Sequence, residues 1–331
     1  MSIIKFSDIV KCKKEVTGHF MVRGLEDKKS PKSKYVTVTL YDGEEEKGVN
    51  FFHPEKNSRG LYVSDLERMG IIEGSIIETS IVSNDTFFNV KNYKLCTDNS
   101  VTKEDFKKKA PIDIEEAYNW ILNTVKSVDS GMGYKDGYYS ISNLAIQLLE
   151  RNKDAIKKSS AAAMMHHNCI GGLLYHTQRM LKLALNVCDT YEKLDKELLI
   201  CGVAIHDIGK IHSLETDDIG TASVTLEGLL LEHSVIGIKM IQEEANNNNY
   251  DPERIVLLQH MIASHHGKKD WDAIVTPSIP EATMLHFIDM MDSRMYMFEE
   301  AYKSQEPGTI SSNKVYGLDS SFIYLPSNTS Y

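Results

Sequence analysis

Residues 198–212 read LLICGVAIHDIGKIH, an apolar run that ends in the adjacent pair His206 and Asp207 and then meets Gly209. Asp195 stands where an N-cap belongs. Leu198, Leu199, Gly202 and Val203 form a stripe at helical spacing, and Gly209 offers a left-handed residue to stop the helix. An imidazole and a carboxylate are therefore expected at the C-terminal end of a buried helix, where the helix dipole favours a cation. The cation that suits this pair is a metal ion.

Further ligands are present on both sides. His176 lies between Leu173 and Met180; His233 is expected to share an apolar face with Leu226, Leu229, Leu230 and Met240; His265 and His266 end a segment carrying Ile255, Leu258 and Ile262; Asp289 lies within MLHFIDMMDSRM. Each of these segments has helical apolar periodicity, so five helices are expected to direct ligands into one interior. A single histidine on an apolar helical face is more often a hydrogen-bonded core residue than a ligand. A buried carboxylate without a partner, however, costs several kcal/mol, and seven such residues in the order His, His-Asp, His, His-His, Asp favour the metal reading.

This order is the pattern of the HD-domain metallohydrolases, and the fuller wording narrows it. HHNCIGGLLYHTQRM (166–180), AIHDIGK (204–210), LEGLLLEH (226–233), LLQHMIASHHGKKDW (257–271) and MLHFIDMMDSRM (284–295) resemble the YhaM-type 3′-5′ exoribonucleases, the cmp-binding-factor group, which join an OB-fold to an HD domain. The resemblance extends over nearly the whole chain. It implies a manganese-dependent enzyme acting on single-stranded RNA, and a homo-oligomer.

The chain has 331 residues and a net charge of −10, which fits two domains and argues against a protein that coats nucleic acid with its whole surface. Residues 1–34 nevertheless hold nine Lys or Arg against four Asp or Glu, so a local basic patch is expected there. The five cysteines, Cys12, Cys96, Cys169, Cys188 and Cys201, contain no CxxC pair and suit reduced thiols in a cytoplasmic protein. No apolar run approaches 18 residues, so neither a signal peptide nor a membrane span is expected.

The expected architecture is α and β in separate domains: a five-stranded OB-fold barrel over 1–96, a polar linker over 97–112, an all-α HD domain over 113–302 and an irregular tail over 303–331. KEVTGHFMVRGLEDK, YVTVTLYDGEEEKGVNFF and GSIIETSIVSNDTFFNVKNYKL alternate as strands, the last turning at Asn84 and Asp85, with VSDLERMG as a short helix between them. Such a barrel commonly binds single-stranded nucleic acid. Lys28, Lys29, Lys32 and Lys34 read as a basic loop for phosphates. Phe20, Tyr35, Phe51, Phe52, Phe87, Phe88 and Tyr93 lie on strands, with half or more expected to fill the barrel core.

Ligand counting divides the candidates into two sets joined by Asp207. One ion would take His176, His206, Asp207 and Asp289; the other would take Asp207, His233, His265 and His266. A sulfur-free, histidine-rich set suits two divalent transition-metal ions, Mn, Fe, Co or Ni, better than Mg, and the chemistry expected is metal-assisted phosphodiester hydrolysis. Asp207 and Lys210 are the catalytic candidates, with Lys210 on phosphate. His167 and Arg294 are further substrate-contact candidates, His260 and His286 are equally core histidines, and Glu227 and Asp292 are candidates to orient imidazoles. Two other readings remain: a phosphohydrolase or phosphodiesterase acting on nucleotides or cyclic dinucleotides, and a nucleic-acid-binding protein whose helical domain is structural.

Overall fold

The computed structural model describes residues 3–12, 14–30, 33–54, 60–83, 88–129, 137–162, 167–303 and 305–329. The chain divides into two compact units, residues 1–108 and 109–331.

The first unit opens with helix α1 (Phe6–Cys12) and continues through β1 (Val16–Lys29), β2 (Lys34–Tyr41), β3 (Glu46–Phe51), helix α2 (Val63–Arg68), β4 (Ile76–Ser83) and β5 (Phe88–Leu95). The strands close a barrel in the order β1-β2-β3-β5-β4, with β1 pairing antiparallel to β4 and β3 running parallel to β5. Period-two alternation produces it. Along β2, Val36, Val38 and Leu40 are fully buried while Thr37 and Thr39 stay half-exposed between them. Val49, Phe51, Ile77 and Ile81 complete the interior with Phe20 and Val22 of β1. Helix α1 was not anticipated, yet Phe6 and Ile9, three residues apart, are fully buried in the same core. With five strands and a helix between β3 and β4, the barrel is OB-like.

Two expectations about this unit change. Lys28 and Lys29 belong to β1 and Lys34 to β2, because the β1–β2 ladder runs out to Lys29 opposite Lys34; these three lysines lie on a strand ribbon, not in a loop. Lys32, Phe87, Asn84 and Asp85 fall outside the described residues. Residues 97–112 are also more ordered than a linker, since Lys103–Phe106 forms a 3-10 turn closed by a reciprocal Thr102–Asp105 cap, with Phe106 fully buried.

The second unit is helical: α3 (Ile114–Ser127), α4 (Ile141–Arg151), α5 (Lys153–Lys158), α6 (Gly172–Thr190), α7 (Lys196–Ile205), α8 (Lys210–Ser213), α9 (Leu226–Ala245), α10 (Pro252–Ser264) and α11 (Pro280–Tyr302). Side-chain caps start most of them. Asp113, Ser140, Asp195, Thr225 and Asp251 each accept a backbone N–H in the first turn. Helix α7 lies at the centre with every residue from Glu197 to Ile205 buried, so it is apolar on all faces and not striped. The second unit is helical apart from short pieces of strand: a hairpin, β6 (Leu214–Thr216) with β7 (Ala222–Val224), precedes α9. The tail is not wholly irregular either. Strands β8 (Thr309–Ile310) and β9 (Tyr324–Leu325) pair antiparallel, with Leu318, Ile323 and Leu325 buried. Among the described residues, no helix is long and apolar enough to cross a membrane.

Two sequence readings fail for instructive reasons. Gly209 is right-handed helical, at φ −63° and ψ −17°, and stops nothing by its conformation. It is glycine because a Cβ there would lie 2.0 Å from the His233 carbonyl oxygen and 2.8 Å from the Gly237 nitrogen; backbone meets backbone where α8 crosses α9. Leu226, Leu229 and Leu230 do not share a buried face with Met240. They are 74%, 69% and 69% exposed, whereas Met240 is buried, because Glu232 at φ +62° and ψ 153° breaks α9 and shifts the helical phase.

Replacing Gly209 with Ala is expected to destabilise the helical unit by roughly 2–3 kcal/mol, the upper end of overpacking costs, because neither backbone at the crossing can yield as a side chain would. Urea unfolding followed by helical circular dichroism measures this, and an unchanged midpoint would mean that α8 and α9 do not approach so closely.

Candidate metal centre

Helix ends place most of the candidate ligands. His206 follows the last residue of α7 and His265 follows the last residue of α10, where terminal carbonyls lack intrahelical partners. Each imidazole supplies one: His206 Nδ1 donates to the Val203 carbonyl at 2.9 Å, and His265 Nδ1 donates to the Ile262 carbonyl at 2.7 Å. Because a carbonyl only accepts, both rings carry the Nδ1 proton and turn Nε2 inward. His176, fully buried on α6, is fixed in the same sense, with Nδ1 donating to Asp292 Oδ2 at 2.7 Å. Positive-φ Gly171 opens α6, and a Cβ on Gly172 would strike the His167 carbonyl at 1.9 Å, so the glycine pair lets the chain fold tightly in front of the ligand.

Asp207 lies between two groups of these nitrogens. Its Oδ2 is 3.2 Å from His206 Nε2 and 3.8 Å from His176 Nε2; its Oδ1 is 3.4 Å from His233 Nε2 and 3.8 Å from His265 Nε2. Asp289 Oδ1 adds a second carboxylate 3.3 Å from His176 Nε2. His266 packs its ring 4.1 Å from that of His265 and 5.1 Å from that of His233. His176, His206 and Asp207 form one cluster able to hold an ion, and His233, His265 and His266 another. All seven residues anticipated as ligands thus converge.

The donor set fits divalent metal. His206 Nε2 and Asp207 Oδ1 are buried with no hydrogen-bond partner, an arrangement that costs free energy unless an electrophile satisfies them. Electrostatics points the same way. Burial would raise the Asp207 carboxyl, but His206 and Lys210 hold it well below the ordinary carboxylate range. Burial depresses His265 strongly and takes His233 down to about 3, so both are neutral at pH 7, as ligands must be. His176 differs: burial opposes its charge, but hydrogen bonds to Asp289 and Asp292 prevail and raise it to about 9. Without metal it is an imidazolium.

Lys210 Nζ lies 2.7 Å from Asp207 Oδ2. It lines a cavity of about 280 Å³ with Asp207, His266, Asp289, Met290 and Ser293, so it reaches the space a substrate phosphate would enter. The other two substrate candidates do not. His167 is fully buried, its Nε2 is 3.0 Å from Asp292 Oδ2 and its ring lies 3.8 Å from that of Tyr296; it supports the wall behind His176 and is closed to substrate. Arg294 is paired with Asp319 of the tail at 2.7 Å. His286 donates Nδ1 to the His265 carbonyl at 2.9 Å, and His260 accepts from the Ser278 backbone at 3.0 Å.

Behind His176 lies a network that residue order alone did not resolve. Asp292 takes His176 and His167 on Oδ2 and the Arg179 guanidinium on Oδ1, while Arg179 also forms a fork with Glu299 at 2.8 and 3.1 Å. His167, His176 and Asp292 could themselves hold an ion by spacing, but Arg179 already supplies the positive charge there, so this cluster orients His176. The signal was present: Arg179 stands three residues after His176 and Asp292 three after Asp289, one helical turn in each case.

Asp292→Asn is expected to weaken metal affinity by roughly ten- to a hundredfold without abolishing it, as loss of an orienting carboxylate does; isothermal titration of the metal-free chain reads this directly, and unchanged affinity would refute the orienting role. Because raised His176 is protonated below about pH 9 and must lose that proton to bind, metal uptake at pH 7.5 is expected to release about one proton per chain. Titration in buffers of different ionisation enthalpy measures it, and no release would contradict the assignment.

Comparison with known families agrees with this geometry. Residues 173–304 match the family model described as HD domain, a span that contains every candidate ligand from His176 to Asp289. No solved structure matches the chain. The chain therefore carries a helical HD domain, a type that is typically a metal-dependent hydrolase, after an OB-like five-stranded barrel.

Proposed function

We propose that the chain is a metal-dependent phosphodiesterase that degrades single-stranded RNA from the 3′ end. The observation that carries this reading is Asp207, whose two oxygens face separate imidazole groups beside an open cavity. Two divalent transition-metal ions, manganese by preference, would supply Lewis acidity toward a phosphodiester and a more acidic water. His176, His206, Asp207 and Asp289 would hold one, and Asp207, His233, His265 and His266 the other. Lys210 would meet a non-bridging phosphate oxygen, exchanging its contact with Asp207 for one with substrate.

The barrel favours a polymeric substrate. Tyr35 and Phe52 place their rings 5.3 Å apart, Phe52 is 40% exposed, and Lys34 lies 4.8 Å from the centre of the Tyr62 ring. An exposed ring beside half-buried rings and a cation suits bases and phosphates of a single strand. Phe20 and Phe51, by contrast, are fully buried and serve the core.

End-labelled RNA tests the reading. Mononucleotides should appear from the first time points, a duplexed 3′ end should slow the reaction, and circular single strands should resist it. Equal cleavage of circles would make it an endonuclease, and hydrolysis confined to nucleotides or cyclic dinucleotides would favour a small-molecule phosphohydrolase. Neutralising Lys28, Lys29, Lys32 and Lys34 should weaken binding of long strands and flatten its salt dependence, since each lost phosphate contact removes counterion release. Lys210→Ala should lower turnover by about 10²-fold or more without reducing metal content; parallel loss of metal would move Lys210 to a structural role.

A further inference from the structure

We infer that Trp271 is a stacking platform for the nucleobase of the nucleotide whose phosphate enters the metal cavity, an inference that deepens the nuclease reading and rests on it. Trp271 lines the same cavity as Asp207, Lys210, His266 and Asp289 and is 41% exposed. An indole left so open forgoes much of the burial that a ring of its size normally gains. Of the two tryptophans in the chain, this one stands at the cavity wall and the other is Trp120.

The ring is mounted on the ligands themselves. The loop leaves His265 and His266 through Gly267, whose N–H donates to the Ser264 carbonyl at 2.8 Å and whose φ is +78°. A Cβ at Gly267 would lie within 2.3–2.5 Å of three atoms of the His286 ring, so only glycine lets the loop press against it. His286 is in turn held by the His265 carbonyl. Trp271 and Ala273 donate backbone N–H groups to the Lys268 carbonyl at 3.0 and 3.1 Å, and Val275 ties the loop back to Ala263 at 3.2 Å. The indole is thereby fixed relative to the candidate metal ligands. Lys268 Nζ lies 4.5 Å from its ring centre, and the His286 ring centre is 6.0 Å away.

A half-exposed indole and a lysine beside a phosphate-directed cavity select for a flat aromatic group attached to the phosphate. A cavity of about 280 Å³ suits one nucleotide rather than a polymer segment. Stacking makes no use of base edges, so all four bases should be accepted, as degradation without sequence preference needs.

The test uses the full chain in a fixed divalent-metal buffer, with adenosine 5′-monophosphate and ribose 5-phosphate as probes that differ only in the base. The wild-type chain should bind the nucleotide roughly ten- to a hundredfold more tightly, on the order of one base–aromatic stack, and the nucleotide should quench tryptophan fluorescence. Trp271→Leu should remove the quenching and the preference while binding ribose 5-phosphate as before; Trp271→Phe should restore most of the preference. Equal wild-type affinity for the two probes, or a preference that survives in Trp271→Leu, would overturn the inference. Failure of the nuclease reading looks different: the preference would hold while RNA stayed intact.

Discussion

A carboxylate with almost no access to water stands at the junction of two imidazole groups, and the helical unit depends on keeping it charged. Asp207 is 3% exposed and its carboxyl is held far below the usual range. Taking such a charge out of water costs several kcal/mol, and Lys210 and His206 both approach its Oδ2, at 2.7 and 3.2 Å. The geometry of α6, α7, α9, α10 and α11 makes sense as the scaffold that places the remaining compensation around it. Helix-terminal carbonyls at Val203 and Ile262 fix two imidazoles, and Asp292 fixes a third. Each ring has one nitrogen committed to the protein and the other presented to the site.

The same logic explains why the site sits among helix ends. A helix C-terminus offers carbonyls that need donors and a dipole that favours positive charge. An imidazole there satisfies a carbonyl and leaves its second nitrogen for a cation. Close approach completes the assembly, for Gly209 lets α8 meet the backbone at His233, bringing Asp207 and Lys210 against α9.

Much of this was legible in the sequence because the informative residues are chemically distinctive and regularly spaced. Alternation located all five strands of the barrel, and helical periodicity with the histidine and aspartate order located all seven candidate ligands. What escaped depended on three-dimensional approach or on a local backbone break. Gly209 reads as a helix stop until the His233 carbonyl is seen beside it. Leu226, Leu229 and Leu230 read as core until Glu232 shifts their phase. His167 and Arg294 carry suitable chemistry at suitable positions, but one is sealed behind His176 and the other is engaged by Asp319, a partner 25 positions away. Asp292 could be named as an orienting candidate but not placed, since its role depends on α6 and α11 lying side by side.

The account turns on Asp207 joining two ions, and metal stoichiometry tests that most directly. Elemental analysis of the purified chain after saturation with Mn(II) and removal of free metal should give about two ions per wild-type chain and close to none for Asp207→Ala, because both proposed coordination sets lose a member at once. Two ions retained in Asp207→Ala, or a single ion in the wild type, would contradict it.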